Sequence, residues 1–294
     1  MQKISFFILL ICFSAPSYSL GKQGHQLVCQ LTYQLLSAEQ QANVDQLLAS
    51  LPTKEKRRIN KYNRLKANTD ITLATACTWA DAIKSESEYD QYKPWHYINV
   101  NRTQQNISAQ TCQKDCVTQA IQFHTKQLTS SELSIEERAK ALMFLGHWIG
   151  DIHQPLHVSF ASDLGGNKLD IKPFVGKCKN LHWYWDQCLL YPATRQKQPL
   201  NEYWQAKLRQ VLTREKMQQW QNSDLFEWAN ESLSLVRAPA TNYCQLAGDS
   251  CNVPAEQPIV ISQSYHEKNQ QILVERIAQA SVRFAQTLND NLTL

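Results

Sequence analysis

The sequence predicts an all-α protein folded as one large helical domain, with one short hairpin at most. Apolar residues recur at helical spacing along most of the chain, and alternating strand patterns are scarce. No repeat, low-complexity tract or long charge block divides the 294 residues, and that length suits a single large domain.

Taken in order, helical periodicity covers residues 26–36, 38–50, 74–85, 116–129, 135–152, 181–188, 201–212, 226–236 and 265–292. Ser37 and Ser134 sit where N-caps belong, and Glu137 three residues after Ser134 completes a capping-box pattern. Short isolated strands are expected over 97–100 and 169–174, the second preceded by the turn chemistry of Gly165, Gly166 and Asn167. Residues 175–179, 195–200 and 247–258 read as loops from their Gly and Pro content.

Residues 1–19 read as a secretory leader: Lys3, an apolar stretch over 4–13, then Ser17-Tyr18-Ser19 as a small-x-small cleavage site. Cleavage would expose Leu20 as a new N-terminus, leaving residues 20–294 as the mature domain. The apolar stretch is too short to cross a bilayer, and no later run reaches about 18 residues. The product is expected to be secreted or periplasmic, monomeric and without a membrane span. The formal charge of +4 loses the charge of Lys3, and the slight remaining basicity is compatible with a polyanionic partner without requiring one. Cys12 leaves with the leader and eight cysteines remain, an even number that suggests disulfides in an exported chain. Near neighbours are the expected pairs: Cys112 with Cys116, Cys178 with Cys188, and Cys244 with Cys251.

The chemistry concentrates in residues 141–157, ALMFLGHWIGDIHQPLH, where His147 and Asp151 stand four apart in an apolar helical run before Pro155 and His157. A helix carries i and i+4 on one face, so imidazole and carboxylate leave a greasy wall in the same direction. Unpaired burial of such groups costs roughly several kcal/mol, and zinc is an economical way to satisfy both. The spacing returns at His182 and Asp186 in NLHWYWD. With His25, Asp81 beside Trp79, and His96 beside Trp95, five histidines and three aspartates exceed what one zinc can use, so two or three ions are needed.

This ordered set resembles the S1/P1 family of exported zinc nucleases and 3′-nucleotidases. The resemblance runs from LGKQGH at 20–25 through TWADAIK at 78–84, WHYIN at 95–99, GHWIGDIHQPLHV, GGN and NLHWYWD to Arg283-Phe284-Ala285 and Leu288-Asn289. It implies three zinc ions. One would be held by Asp81, His96, His147 and Asp151, and a second by His157, His182 and Asp186. The third would use His25, Asp151 as a bridge, and the backbone amine and carbonyl of Leu20, where the family ordinarily has Trp. It further implies that Asp81 orients the attacking water, that Lys84 steadies the phosphate, and that Tyr97, Asn99, Gly165 and Asn167 form a base pocket. His153 matches no ligand position and is read as structural; His124 and His266 are read as surface or capping residues.

The implied activity is hydrolysis of single-stranded RNA and DNA at the P–O3′ bond to 5′-phosphate products, with 3′-nucleotides as further substrates. Two rivals differ in chemistry. A zinc phospholipase C is similar in fold, but its last ligand pair is typically His-x-x-x-Glu and its first histidine lies further from the terminus. A non-catalytic zinc-binding protein would have no use for an aromatic base pocket or an open metal position.

Overall fold

In the computed structural model, residues 20–247 and 250–294 are described, so the leader lies outside the described residues. The helices are α1 (Lys22–Leu35), α2 (Ala38–Ala49), α3 (Thr53–Asn63), α4 (Leu73–Ala76), α5 (Trp79–Ala82), α6 (Val117–Thr129), α7 (Ile135–His153), α8 (Leu181–Asp186), α9 (Leu200–Val211), α10 (Arg214–Gln221), α11 (Leu225–Arg237) and α12 (Gln263–Asn291). The short strands are β1 (Ile98–Val100), β2 (Val158–Phe160), β3 (Ile171–Lys172), β4 (Cys244–Ala247), β5 (Ser250–Pro254) and β6 (Ile259–Val260). Among the described residues no helix is long and apolar enough to cross a membrane.

α7 is the axis of the molecule. Ser134 and Glu137 form the expected capping box, and every residue from Ala141 to His153 is buried, as a helix surrounded on all sides must be. α6, α12, α1, α11 and α5 pack around it. The 29-residue α12 lies along α1, where Ser281 donates its hydroxyl to the Val28 carbonyl.

Two expectations are corrected here. The helix anticipated over 74–85 is broken into α4 and α5, because the Cys77 carbonyl, which a continuous helix would hold for an amide four residues on, instead accepts Nδ1–H of His147 at 2.7 Å. The loop anticipated over 247–258 contains β5, which pairs antiparallel with β4 as a hairpin bridged by Cys244–Cys251. Two further helices, α3 and α10, were not anticipated. In α3 the buried stripe is Glu55, Ile59, Asn60 and Asn63, so its helical period is carried by mostly polar residues and has no apolar signature.

The three expected disulfides are present, and a fourth, Cys29–Cys77, ties α1 to the segment between α4 and α5. The parallel pair β1–β2, in register Ile98↔Val158, matters most for the site. Each strand begins within two residues of a histidine, His96 and His157, so the pairing sets those two side by side.

Histidines 124 and 266 are not on the surface. His266 is fully buried between the Tyr184 hydroxyl and the Tyr191 carbonyl. His124 is enclosed by the rings of Trp95, Phe123, Phe144 and Trp148, and its Nδ1 lies 2.9 Å from the Ala120 carbonyl and 3.1 Å from Nε1 of Trp148. That burial pulls its imidazole down to about 4 from an ordinary 6.5. Unfolding lets it take up a proton at the ordinary value, so its contribution is complete above about pH 6.5 and is lost as the pH falls towards 4. Urea unfolding should therefore report about 2 kcal/mol less stability at pH 5 than at pH 7 from this group. In His124→Gln that increment should vanish; an unaltered pH dependence would contradict the assignment.

Candidate metal centre

Six segments converge on one buried cluster. α1 supplies His25, α5 Asp81, the 3₁₀ turn Ser87–His96 ends on His96, α7 carries His147 and Asp151, the 3₁₀ turn Pro155–His157 ends on His157, and α8 carries His182 and Asp186. The chain can turn from α7 into the second 3₁₀ segment because Pro155 opens it and Gln154 caps it, the Gln154 side chain accepting the Leu156 amide at 2.6 Å.

Asp151 stands at the centre and is fully buried. Its Oδ1 lies 3.3 Å from Nε2 of His25 and 3.6 Å from Nδ1 of His157, and its Oδ2 lies 2.9 Å from Nδ1 of His96 and 3.4 Å from Nε2 of His147. At one end, Asp81 Oδ1 is 3.9 Å from His147 Nε2, and the His25 and His147 rings stack at 3.7 Å. At the other, Asp186 is 3.6 Å from His157 Nε2 and 3.4 Å from His182 Nε2. Ligand-capable atoms within 4.8 Å of one another form three groups: His25, Asp81 and His147; His96, His147 and Asp151; His157, His182 and Asp186. All eight side chains expected to hold metal are among them, although Asp81 groups with His25 and His147 rather than with His96 and Asp151.

The imidazoles are aimed by the backbone. Nδ1–H of His147, His157 and His182 donates to the carbonyls of Cys77, His96 and Gly165 at 2.7, 2.6 and 2.7 Å. A carbonyl only accepts, so each Nδ1 carries a proton and each Nε2 faces the cluster, an orientation characteristic of metal-binding histidines. Nε2 of His157 and Oδ2 of Asp186 are buried without a hydrogen bond, which is costly unless a cation joins them.

Electrostatics agree with a cation site. Burial, then the charge of His25, lowers His147 to about 3, and burial, then Lys84, lowers His96 to about 4, so both are neutral ligands near pH 7. Burial works against ionised Asp151, yet His147, His157 and the bonds from His25 and His96 hold its carboxyl well below the usual range. His157 is the exception: burial lowers it, but Asp151 and Asp186 outweigh burial and raise it to about 9. A proton there stands in for positive charge that the carboxylates demand, and a metal would displace it. Asp81 is held below the ordinary carboxylate range, burial being outweighed by Lys84, whose Nζ is 3.5 Å from Oδ1, and by His147, His96 and His25.

Leu20 is buried beside the cluster. Its side chain covers Gly24 and reaches Gly150, both positions where a Cβ would collide, with Leu20 Cγ at 2.6 Å and His25 Nδ1 at 2.7 Å respectively. Leucine therefore fills the packing position where the family ordinarily has Trp, and the next amide, Gly21 N–H, donates to the Asp186 carbonyl at 2.9 Å.

Tyr97 and Asn99 are half-buried on either side of β1's first residue, and Asn99 Oδ1 is buried without a hydrogen bond. Gly165 adopts φ +63°, and a Cβ there would lie 2.6 Å from the Leu156 carbonyl. Its amide donates to Phe160 and its carbonyl accepts from His182, so its polar groups serve the turn and a ligand first. Asn167 Nδ2 donates to the Leu164 carbonyl at 2.9 Å. His153 faces away from the cluster, donating Nδ1–H to Ile149 and accepting from Arg283 at 2.8 Å.

Sequence reasoning missed two positioning residues. Gln154 donates to Asp186 Oδ1 at 2.6 Å; it lies inside the strongest motif, which was the available signal. Asp163 accepts the Gly166 amide at 2.8 Å and binds the Arg102 guanidinium and the Tyr243 hydroxyl, fixing the turn whose Gly165 carbonyl aims His182. Nothing marks it in sequence, since its partners lie 61 and 80 residues away. Asp163→Ala should weaken divalent-cation affinity about tenfold, as loss of an outer support typically does, in a chelator-competition titration. Unchanged affinity would remove Asp163 from this role.

The S1/P1 Nuclease family model matches residues 20–293. Among characterised proteins the chain is 30% identical to Endonuclease 4 of Arabidopsis thaliana, over 92% of this chain and 88% of that protein. It is 29% identical to Nuclease S1 of Aspergillus oryzae over 58% of this chain and 54% of the relative, and 34% identical to Nuclease P1 of Penicillium citrinum over 42% and 46%. A buried cluster of the motif residues and a match spanning almost all of the described chain lead to one conclusion: this protein belongs to the S1/P1 nuclease family.

Proposed function

We propose that this chain is an exported, zinc-dependent phosphodiesterase that hydrolyses single-stranded RNA and DNA at the P–O3′ bond to 5′-phosphate products and removes the 3′-phosphate of nucleotides. The observation that carries the reading is the convergence of eight His and Asp side chains into three contiguous groups around Asp151. Residues 1–19 would be the leader and 20–294 the catalytic domain, a division supported by four disulfides and by the seating of Leu20 against Gly24.

Three zinc ions fit the donor set. His157, His182 and Asp186 would hold one, Asp81, His96, His147 and Asp151 a second, and His25, Asp151 and the backbone amine and carbonyl of Leu20 the third. Zinc so held supplies water of pKa about 7 and neutralises charge on the attacked phosphate.

The chain's own groups do the rest. Asp81, kept ionised by its neighbours, accepts a hydrogen bond from the attacking water and so points its lone pair at phosphorus. Tyr62 Oη at 3.4 Å and Lys84 Nζ at 3.5 Å hold that carboxylate in place. Lys84, 21% exposed, also presents its ammonium to the phosphate oxygens. Tyr97 offers a ring for a base to stack on, worth about 1–3 kcal/mol, and Asn99 Oδ1 offers an acceptor to a base amino group. Asn99 also lines a polar cavity of about 420 Å³ with Gln104, Ser108 and Thr111, and the turn of Gly165 and Asn167 comes up beside Asn99 Oδ1. A cluster this deeply buried is reached by a flexible strand more readily than by a stacked duplex.

Asp81→Asn should lower kcat on single-stranded RNA at least 10³-fold while circular dichroism stays native; near-normal turnover would refute its role. Chelation should abolish hydrolysis and added zinc should restore it, with three zinc ions per chain by elemental analysis. Chelator-resistant activity would overturn the metal assignment.

A further inference from the structure

The cations beside Asp81 extend past the groups that the reaction uses. Lys22, at the start of α1, holds its Nζ 6.0 Å from the centroid of the Tyr62 ring, whose hydroxyl reaches Asp81. Arg64 caps the end of α3 in a left-handed conformation, φ 59°, and its charge is near enough to bear on the Lys22 ammonium. From Arg64 one face of α3 runs back through Lys61 to Arg57, at spacings of three and four, and all three are exposed. Among the described residues none of Lys22, Arg57, Lys61 and Arg64 forms an ion pair. Arg58 of the same helix, by contrast, binds Glu55 and Glu86. Like charges lined up without acids repel one another, and a polyanion lying along them relieves that repulsion.

Asn99 and Gly165 adjoin His182 at the opposite end of the cluster, so the basic face lies across Asp151 from the proposed base pocket. A strand with one base there and its scissile phosphate near Asp81 would continue towards α3.

We propose that Lys22, Tyr62, Arg64, Lys61 and Arg57 form a binding track for the sugar–phosphate backbone of a single-stranded polynucleotide beyond the scissile phosphate. The track rests on the nuclease reading and deepens it: long strands are held by cations that a mononucleotide never touches. Backbone contacts carry no base information, so the track serves RNA and DNA alike.

The test uses the mature, zinc-loaded protein and the variant Arg57→Gln/Lys61→Gln/Arg64→Gln, all at exposed positions away from the cluster. Affinity for a fluorescein-labelled phosphorothioate oligodeoxythymidylate is followed by anisotropy over a range of salt, and kcat/KM is measured on 3′-AMP. Each phosphate contact on a single strand contributes about 0.7 to the slope of log affinity against log salt, so the triple variant should lose about 2 from that slope. It should bind the oligonucleotide at least tenfold more weakly at low salt and hydrolyse 3′-AMP within twofold of wild type. Equal slopes, or equal losses on both substrates, would overturn the track. Should the triple variant fold poorly, Arg64→Gln alone must lose about 0.7. A wild type that hydrolyses neither substrate would defeat the nuclease reading, while the anisotropy slopes would still decide the track.

Discussion

One buried carboxylate organises the molecule. Asp151 sits in the last turn of α7 with no solvent contact and faces four imidazoles within 3.6 Å. An ionised group cannot stay in such a place unless every direction around it is answered by a donor or a cation. The surrounding architecture supplies those answers. α1 delivers His25, the β1–β2 pairing delivers His96 and His157 side by side, and one further turn of α7 delivers His147.

The supports are as particular as the ligands. The carbonyl that fixes His147 is taken from a helix that consequently breaks into α4 and α5, and Cys29–Cys77 anchors the chain at that break. Gly165 lends its carbonyl to His182 only because the turn accepts positive φ, and Asp163 holds that turn by its next amide. Secondary structure is thus interrupted where a polar backbone group is needed by the site, a local irregularity offset by satisfied burial elsewhere.

The same view explains the distribution of charge. Carboxylates are gathered inside, where they ask for cations, while the exposed face of α3 carries Arg57, Lys61 and Arg64, none of which forms an ion pair among the described residues. That polarity, positive outward and negative inward, favours cations within the cluster and anions along the exposed face.

Much of this was readable before any coordinates. The long helices announce themselves by period and caps, and the pairs His147–Asp151 and His182–Asp186 follow from helical geometry, because both partners lie within one turn and local spacing decides their direction. Three disulfides between near neighbours were legible for the same reason. The rest depends on approach between distant segments. Nothing local joins Asp163 to Arg102 and Tyr243, or Cys29 to Cys77, and the amphipathic stripe of α3 is polar, so no hydropathy period betrays it. Sequence alone singled out the His and Asp side chains that the fold gathers into one cluster, since side-chain identity and short-range helix geometry are written along the chain. Tertiary packing decided how they are grouped, which carbonyl aims each imidazole and where the unpaired bases lie, because those are properties of contacts across tens to hundreds of residues.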